Sequence, residues 1–201
     1  MNKPVNPAAE RNKAPLLAVI ERYLLRARSV LEIGAGSGHH AVYFAAQLPH
    51  LRWQASEQRD NMPGLSLHLA DAGLANLLPP LELNVLHGPW PLPALDAVFA
   101  ANVVQCMTSP ALAALFRKVG EHLAADGVFL LYGPFNRDGR YTSEGNQQLD
   151  AWARSLDADF GLRDRAAVEE LAARSGLGLR EDHAMPANNQ ILVWRRQGAW
   201  Y

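Results

Sequence analysis

The sequence predicts an α/β fold: an open sheet of seven strands, mostly parallel with an antiparallel last strand, and helices on both faces. Short apolar runs alternate with segments whose apolar residues recur at helical spacing, as in strands joined by crossover helices. A chain of 201 residues with 49% hydrophobic content can bury one substantial core, so we expect a single domain over residues 1–201. The last two apolar runs are separated by PANN, which is too short for a parallel crossover.

Strands and helices follow one another in a regular order. The predicted strands are SVLEIG, LRWQASE, LELNV, LDAVFAANVV, VFLLYGP, LGLREDHAM and NQILVWRR. The predicted helices are PLLAVIERYLLRA, GHHAVYFAAQL, MPGLSLHLADAGLANL, SPALAALFRKVGEHLAADG and RDRAAVEELAARSG, with a further helix capped by Thr142 or Ser143. Ser109 and Asp164 are predicted N-caps, and Gly127 and Gly176 are predicted to end the helices that those two residues begin.

The composition argues against several classes of partner. The net charge is −1 and the pI is about 6.7, unlike the basic footprint of a general nucleic-acid binder. Cys106 is the single cysteine, so no disulfide can form within the chain and a reducing compartment is expected. No apolar run approaches the roughly 20 residues of a membrane span, and the N-terminus carries no apolar signal segment. We therefore expect a cytoplasmic protein without a nucleic-acid or membrane partner.

Three glycines, Gly34, Gly36 and Gly38, follow the first predicted strand in VLEIGAGSGHHA. A P-loop would end in Gly-Lys-Ser/Thr and a dinucleotide loop would read G-x-G-x-x-G, whereas this loop reads G-x-G-x-G and continues into His39 and His40. The two histidines are expected to begin a helix rather than to bind a metal, because a metal site needs further ligands. The loop therefore predicts a ligand other than a bare phosphate.

Two acidic residues indicate which ligand that is. Glu32 lies two positions before the first glycine, and Glu57 ends the second predicted strand. A carboxylate beside the loop repels a pyrophosphate but suits the sulfonium and ammonium of S-adenosylmethionine. NAD enzymes also carry an acid at the end of the second strand, so Glu57 alone does not distinguish NAD from S-adenosylmethionine. The glycine spacing, however, disfavours an NAD-dependent oxidoreductase. The alternative for Glu32 is a carboxylate satisfied by backbone amides.

These residues resemble a family of known fold. LEIGAGSG resembles the first motif of class I S-adenosylmethionine-dependent methyltransferases, and Glu57 resembles their ribose-binding acid. From about Glu10 to Arg196, the chain resembles the methyltransferase-like 26 family through ERNKAPLL, LEIGAGSGHHAVYFAAQLP, WQASE, LYGPF, YTSEGNQQLD, GLRD and MPANN. The resemblance implies a seven-stranded Rossmann-like sheet and S-adenosylmethionine as cofactor. Two departures are Glu57, where the family usually has Asp, and Asn84, where an Asp is common, so we expect weaker adenine binding.

The predicted cofactor contacts lie in the glycine loop, at strand ends and in the N-terminal segment. They are Arg11, Asn12, Glu32, Gly34, Ala35, Gly36, Ser37, Gly38, His40, Glu57, Asn84, Val85 and Asn102. Asn102 could instead be a turn-forming residue. Residues 1–15 are polar and contain three prolines, and their composition fits equally a disordered tail or an arm that folds over the site.

The predicted substrate contacts lie at the ends of the last strands and in the long polar stretch 136–164. We expect this stretch to face a small-molecule methyl acceptor. They are Tyr132, Phe135, Arg163, Asn188 and Asn189, with His183 as the one candidate for a general base. Alternatively, Asn188 and Asn189 only form the hairpin turn PANN, and Arg163 forms a structural salt bridge. The leading hypothesis is a small-molecule methyltransferase. The alternative is a protein that binds S-adenosylmethionine or S-adenosylhomocysteine without catalysis.

Overall fold

A computed structural model of the protein describes residues 6–197. The strands in this range are β1 (Ser29–Ile33), β2 (Arg52–Glu57), β3 (Leu81–Glu82), β4 (Leu95–Ala101), β5 (Leu123–Pro134), β6 (Leu177–Met185) and β7 (Asn189–Arg196). The α-helices are α1 (Pro7–Leu24), α2 (His39–Gln47), α3 (Met62–Ala72), α4 (Ser109–His122), α5 (Glu144–Leu156) and α6 (Arg165–Arg174).

The seven strands form one sheet in the order β3-β2-β1-β4-β5-β7-β6. Strands β1 to β5 pair in parallel, and β7 is antiparallel to both β5 and β6. The predicted fold class is therefore confirmed. The chain moves outward from β1 to β3 and then returns to β4 beside β1, so the strand order reverses between β1 and β4. Ligands of open α/β sheets bind at the carboxyl ends of strands at such a point.

A hydrophobic core covers each face of the sheet. On one face, Ile20 of α1 and Phe44 of α2 pack with Trp53 and Phe99 of the sheet. On the other face, Phe116 of α4 packs against sheet residues such as Trp194, with its ring edge-on to that indole. The two cores fix both layers of helices against the sheet and leave the carboxyl edge of the strands to carry the loops.

Residues 6–15 do not form a disordered tail, because α1 begins at Pro7 and not at Pro15 as the sequence predicts. The side chain of Asn6 caps the helix by accepting hydrogen bonds from the backbone N–H groups of Ala8 and Ala9. Pro15 lies inside α1 and not at its first turn. Pro15 cannot donate a backbone hydrogen bond, but the burial of Leu16 in the next position helps to keep the helix continuous. Residues 1–5 lie outside the described residues.

Two predicted boundaries of α4 are also wrong. Thr108, and not Ser109, is the N-cap, because the Ser109 hydroxyl and backbone N–H both donate to the carboxylate of Asp159. Gly127 does not end the helix, because β5 starts directly after His122 and contains Gly127. A Cβ at Gly127 would lie 2.6 Å from Leu123 Cγ, so the close turn of this strand needs glycine.

Elsewhere the element boundaries follow the sequence patterns more closely. Ser143 caps α5, Asp164 caps α6, and Gly176 follows α6 with a φ of +72°, as predicted. The third strand is shorter than LELNV and covers only Leu81 and Glu82. No helix between residues 6 and 197 combines the length and apolar character needed to cross a membrane.

Candidate functional site

The glycine loop connects β1 to α2 through backbone conformations that favour glycine. Gly34, Gly36 and Gly38 have φ values of +66°, +55° and +80°. A Cβ at Gly38 would lie 2.6 Å from Leu69 Cδ1 and 2.8 Å from Leu65 Cδ1, so glycine lets α3 pack against the loop. At Gly36, by contrast, a Cβ would meet nothing within 4 Å, which leaves the loop open at that point.

Glu57 joins the end of β2 to the glycine loop. One of its carboxylate oxygens accepts a hydrogen bond from the backbone N–H of Gly36, and the other accepts one from Gln58, each at 2.8 Å. Both oxygens keep further lone-pair capacity. The carboxylate is therefore held in place and still able to accept hydrogen bonds from a ligand.

Glu32 lies behind the loop in the core. Its side chain is 2% exposed, and its carboxyl group accepts a hydrogen bond from Trp53 Nε1 at 2.7 Å. Burial, together with the nearby charge of Glu57, raises the pKa of Glu32 to about 7, although the hydrogen bond from Trp53 lowers it. Glu32 lines neither of the two cavities described below, so the structure does not place it in direct contact with a ligand. Its partner is an indole and not the backbone amides of the alternative interpretation.

A cavity of about 390 Å³ opens at the carboxyl ends of β1, β2 and β4. Five predicted cofactor residues line it, namely Gly34, Glu57, Asn84, Val85 and Asn102. Residues that sequence reasoning did not select complete the wall, among them Gln58, Asn61, Val103, Cys106, Met107, Thr108, Ala111 and Phe160. Four of them, Val103, Cys106, Met107 and Thr108, follow β4 in the turn that leads into α4. The Thr-Ser-Pro helix start was the signal that could have located this turn. Phe160 comes from the 136–164 segment.

Asn84 and Asn102 shape the wall through their backbone geometry. Asn84 Oδ1 accepts a hydrogen bond from the backbone N–H of Leu86 at 2.9 Å, so its carbonyl is already engaged within its own loop. Asn102 has a φ of +55°, and its backbone N–H donates to the carbonyl of Tyr132 at 2.9 Å. Asn102 is thus both a turn residue and part of the cavity wall.

A second cavity of about 160 Å³ adjoins the first and shares Gly34 and Asn102 with it. The rest of its wall comes from the glycine loop, the first turns of α1 and α2 and the end of β4, namely Asn6, Ala9, Ala35, Gly36, Ser37, His39, His40 and Ala101. Two adjoining cavities on either side of the glycine loop give an elongated ligand two separate compartments.

Asn12 of α1 contacts the wall of this second cavity through His40. His40 Nε2 and Asn12 Oδ1 are 2.6 Å apart, and Asn12 also hydrogen-bonds to Tyr132, the pKa of whose hydroxyl is raised by burial. Burial lowers the pKa of His40 to about 4, so the ring is neutral at pH 7 and donates to Asn12. Tyr132 is 3% exposed and packs in the α1-side core, so it does not face a substrate. Arg11 is exposed and lines neither cavity.

The structure does not bring Arg163 or His183 into the cavities. The Arg163 guanidinium donates to the backbone carbonyls of Val104, Met107 and Asp159, so it stabilises the turn after β4 and is not free to bind an acceptor. It forms these bonds instead of the side-chain salt bridge considered as an alternative. His183 Nε2 lies 2.6 Å from the Tyr23 hydroxyl and 2.8 Å from an Arg22 nitrogen. This places His183 against α1, away from the glycine loop.

Phe135, Asn188 and Asn189 line a third cavity, of about 230 Å³, between β5 and the turn that joins β6 to β7. Asn188 has a φ of +57°, and Asn189 Nδ2 donates to the carbonyl of Pro186 at 3.0 Å, so both residues also build the turn. The 136–164 segment contributes Arg137 and Thr142 to this cavity. The segment thus contributes to both the first and the third cavity.

Comparison with known proteins agrees with this architecture. Mitomycin 7-O-methyltransferase MmcR has a TM-score of 0.82 and 18% identity, with 94% of this chain and 54% of that chain covered. An O-methyltransferase family protein from Burkholderia thailandensis has a TM-score of 0.81 and 16% identity, with 96% and 58% covered. An O-methyltransferase family 2 protein from Planctomyces limnophilus, in complex with apigenin, has a TM-score of 0.74 and 15% identity, with 94% and 62% covered.

These likenesses show the Rossmann-like fold, and the chain spans little more than half the length of the proteins it matches. The narrower resemblance to the methyltransferase-like 26 family stays a prediction. A family model described as "Protein of unknown function (DUF938)" matches residues 3–196. The chain therefore belongs to the DUF938 family.

Proposed function

We propose that the protein is an S-adenosylmethionine-dependent methyltransferase that acts on a small-molecule acceptor. The observation that carries the proposal is the Glu57 carboxylate, which two backbone N–H groups hold at the wall of the first cavity beside the glycine loop. A fixed carboxylate with free acceptor capacity at the end of β2 suits the two hydroxyls of a ribose. Such charge-assisted hydrogen bonds contribute on the order of 1.5–3 kcal/mol.

The chemistry of the cavity walls fits this cofactor better than a dinucleotide. Among residues 6–197, no lysine or arginine lines the first or the second cavity, so a pyrophosphate would find no cationic side chain there. The Glu57 carboxylate favours a cation instead. Asn84, Val85 and Met107 offer a mixed polar and apolar wall for an adenine, and the second cavity offers polar groups of the glycine loop for the amino-acid end.

The protein's part in such a reaction is positioning. The bound cofactor would supply an activated methyl group on its sulfonium. Gly34 and Asn102 border both cavities, so they would flank the junction of the nucleoside and amino-acid ends. The first turn of α1 forms one wall of the second cavity through Asn6 and Ala9 and excludes water from that end. This helical turn is the part of the arm expected for residues 1–15 that would cover the cofactor.

One observation favours the non-catalytic alternative. On the described walls of the two cavities, the ionisable side chains are Glu57, Cys106, His39 and His40. Glu57 is held by backbone N–H groups, burial raises the pKa of the Cys106 thiol, and the His40 ring donates to Asn12. Serine or phenol methylation with a strong general base is therefore not supported by these groups. A protein that binds the cofactor without transferring its methyl group would need no general base.

Calorimetry tests the proposal. We expect S-adenosylmethionine and S-adenosylhomocysteine to bind to the protein and NAD not to bind. Glu57→Gln should weaken that binding, whereas Glu82→Gln should not, because Glu82 is the exposed neighbour of Glu57 on β3. Binding of NAD alone would overturn the proposal. Transfer of tritium from methyl-labelled cofactor to a metabolite pool would distinguish the enzyme from the non-catalytic binder.

A further inference from the structure

Three carboxamide side chains lie on one face of β5 near its carboxyl end. A Cβ at Gly133 would lie 3.9 Å from both Asn102 Oδ1 and Gln105 Oε1. Gln190 is the partner of Gly133 across the antiparallel β5–β7 pair, so its side chain lies on the same face as that missing Cβ. We call Asn102, Gln105 and Gln190 the carboxamide cluster. Gly133 leaves a space the size of a methyl group beside Asn102 and Gln105.

Two oxygens of the cluster lack a hydrogen-bond donor. Gln105 is 4% exposed, and neither its Oε1 nor that of Gln190 accepts a hydrogen bond from any group within residues 6–197. Both atoms are also shielded from water. Buried acceptors in folded proteins are nearly always paired, because an unpaired one costs free energy. Two unpaired oxygens on one face of one strand end therefore indicate a position prepared for a ligand that brings hydrogen-bond donors.

The carboxamide cluster lies between the cofactor cavities and the third cavity. Asn102 borders the first and second cavities, and Gln190 borders the third cavity together with Phe135 and Thr142. Gly133 is the strand partner of Gln190, and a Cβ there would lie 3.9 Å from Asn102 Oδ1, so the cluster links the walls of these cavities. A small molecule that extends from the third cavity toward the cofactor would pass Gly133 and meet the oxygens of the cluster.

The chemistry of the carboxamide cluster selects the kind of nucleophile. A carboxamide oxygen accepts a hydrogen bond but does not remove a proton, so a hydroxyl or phenol would find no base in the cluster. A neutral amine needs none, because it keeps a free lone pair while its N–H groups are held. The neighbouring sulfonium disfavours an ammonium ion.

We propose that the carboxamide cluster is the methyl-acceptor subsite and that it takes a neutral amine, an inference that rests on the proposed function. The amine donates its N–H groups to the oxygens of the cluster and directs its lone pair at the methyl carbon. The new N–C bond forms as the C–S bond of the cofactor breaks, and that electron pair stays on sulfur as S-adenosylhomocysteine. The methylated ammonium then releases its proton to water.

The experiment offers the full-length protein tritium-labelled S-adenosylmethionine and a panel of single compounds. The amines are aniline, histamine, tryptamine and phenethylamine, and the comparison compounds are phenol, catechol, benzoate and thiophenol. We expect label in one or more amines and not in the comparison compounds. Label confined to the comparison compounds, or no label in the amines although S-adenosylhomocysteine binds, would overturn the inference. Failure of S-adenosylhomocysteine to bind would instead overturn the proposed function.

Variants then tie the activity to the carboxamide cluster. Gln190→Met keeps the length of the side chain and removes its amide, and we expect kcat/KM for the amine to fall about tenfold with an unchanged Kd for S-adenosylhomocysteine. Gly133→Ala should lower kcat/KM at least as much, because its methyl group would fill the space beside Asn102 and Gln105, at a contact distance of 3.9 Å that the fold tolerates. The matched controls are Gln147→Met and Gly145→Ala on α5. Loss of activity in the controls, or wild-type activity in both cluster variants, would also overturn the inference.

Discussion

Replacing Glu32 by glutamine should remove a pH dependence from the stability of the fold. Glu32 is buried in the core with Trp53 Nε1 as its hydrogen-bond donor. Burial, with a further contribution from Glu57, raises the pKa of Glu32 from 4.5 to about 7. In the unfolded chain the same carboxyl group ionises near its ordinary value. The folded protein therefore holds a proton that the unfolded chain releases.

The sign of the effect follows from this difference in bound protons. Between pH 4.5 and about pH 7, the folded protein binds more protons at Glu32 than the unfolded chain does, so the free energy of unfolding falls as the pH rises. Below this range both states are protonated, and above it both are ionised. At about 1.4 kcal/mol per pH unit, the loss across the range amounts to about 3 kcal/mol.

Glu32→Gln tests this because glutamine stays neutral and still offers an oxygen to Trp53. We expect the variant and the wild type to differ in unfolding free energy by about 3 kcal/mol more at pH 8 than at pH 4.5, in favour of the variant. Urea denaturation over this pH range measures the difference. The histidines are the same in both proteins, so their effects on stability cancel in the difference between variant and wild type. Glu82→Gln is the exposed control and should show no such trend. A difference between variant and wild type that stays constant with pH would refute the reasoning.

Four further substitutions, one of them a control, have effects that follow from the contacts of Glu57, the glycine loop and Arg163. Glu57→Ala should weaken calorimetric binding of S-adenosylhomocysteine by about 1.5–3 kcal/mol while the fold survives, and an unchanged Kd would contradict the ribose assignment. Gly38→Ala should lower the free energy of unfolding, measured by urea denaturation, by about 1–3 kcal/mol, because a Cβ there would clash with α3. Gly36→Ala, at an open position, should cost less, and equal losses would contradict this explanation. Arg163→Leu should destabilise the protein by about 1–3 kcal/mol, because backbone carbonyls lose their donor, and a change confined to acceptor KM would instead favour a substrate role.

The order of the strands could be predicted because each strand is a short apolar run bounded by turn residues. Val98 and Phe99 of β4, for example, are buried on opposite faces of the sheet, as the nearly continuous apolar run suggests. The positions of Gly34 and Glu57 followed from the same pattern, because the carboxyl ends of neighbouring parallel strands lie at one edge. Local periodicity and turn chemistry were sufficient for these features.

The start of α1 could not be predicted in this way. Pro15 is a good first-turn residue, and a proline inside a helix removes one hydrogen bond, so local rules favour a start at Pro15. The structure places that start eight residues earlier, at Pro7. Asn6 caps this earlier turn, Ala9 packs at the second cavity, and Asn12 bonds to His40. These contacts join residues that are far apart in sequence, and together they outweigh the penalty at Pro15.

Functional side chains were hardest to identify for a related reason. Arg163 and His183 were predicted from the sequence because charged or titratable side chains can bind a substrate or transfer a proton. Such side chains also form strong hydrogen bonds, so other residues of the same protein often pair with them. Arg163 donates to backbone carbonyls, and His183 contacts α1. Gln105 and Gln190 have ordinary side chains in the sequence, and only the positions of all neighbouring donors show that their oxygens lack a partner. A ligand competes most effectively for polar groups that the fold has left unpaired, so the search for an acceptor subsite should start from those oxygens rather than from the strongest charge.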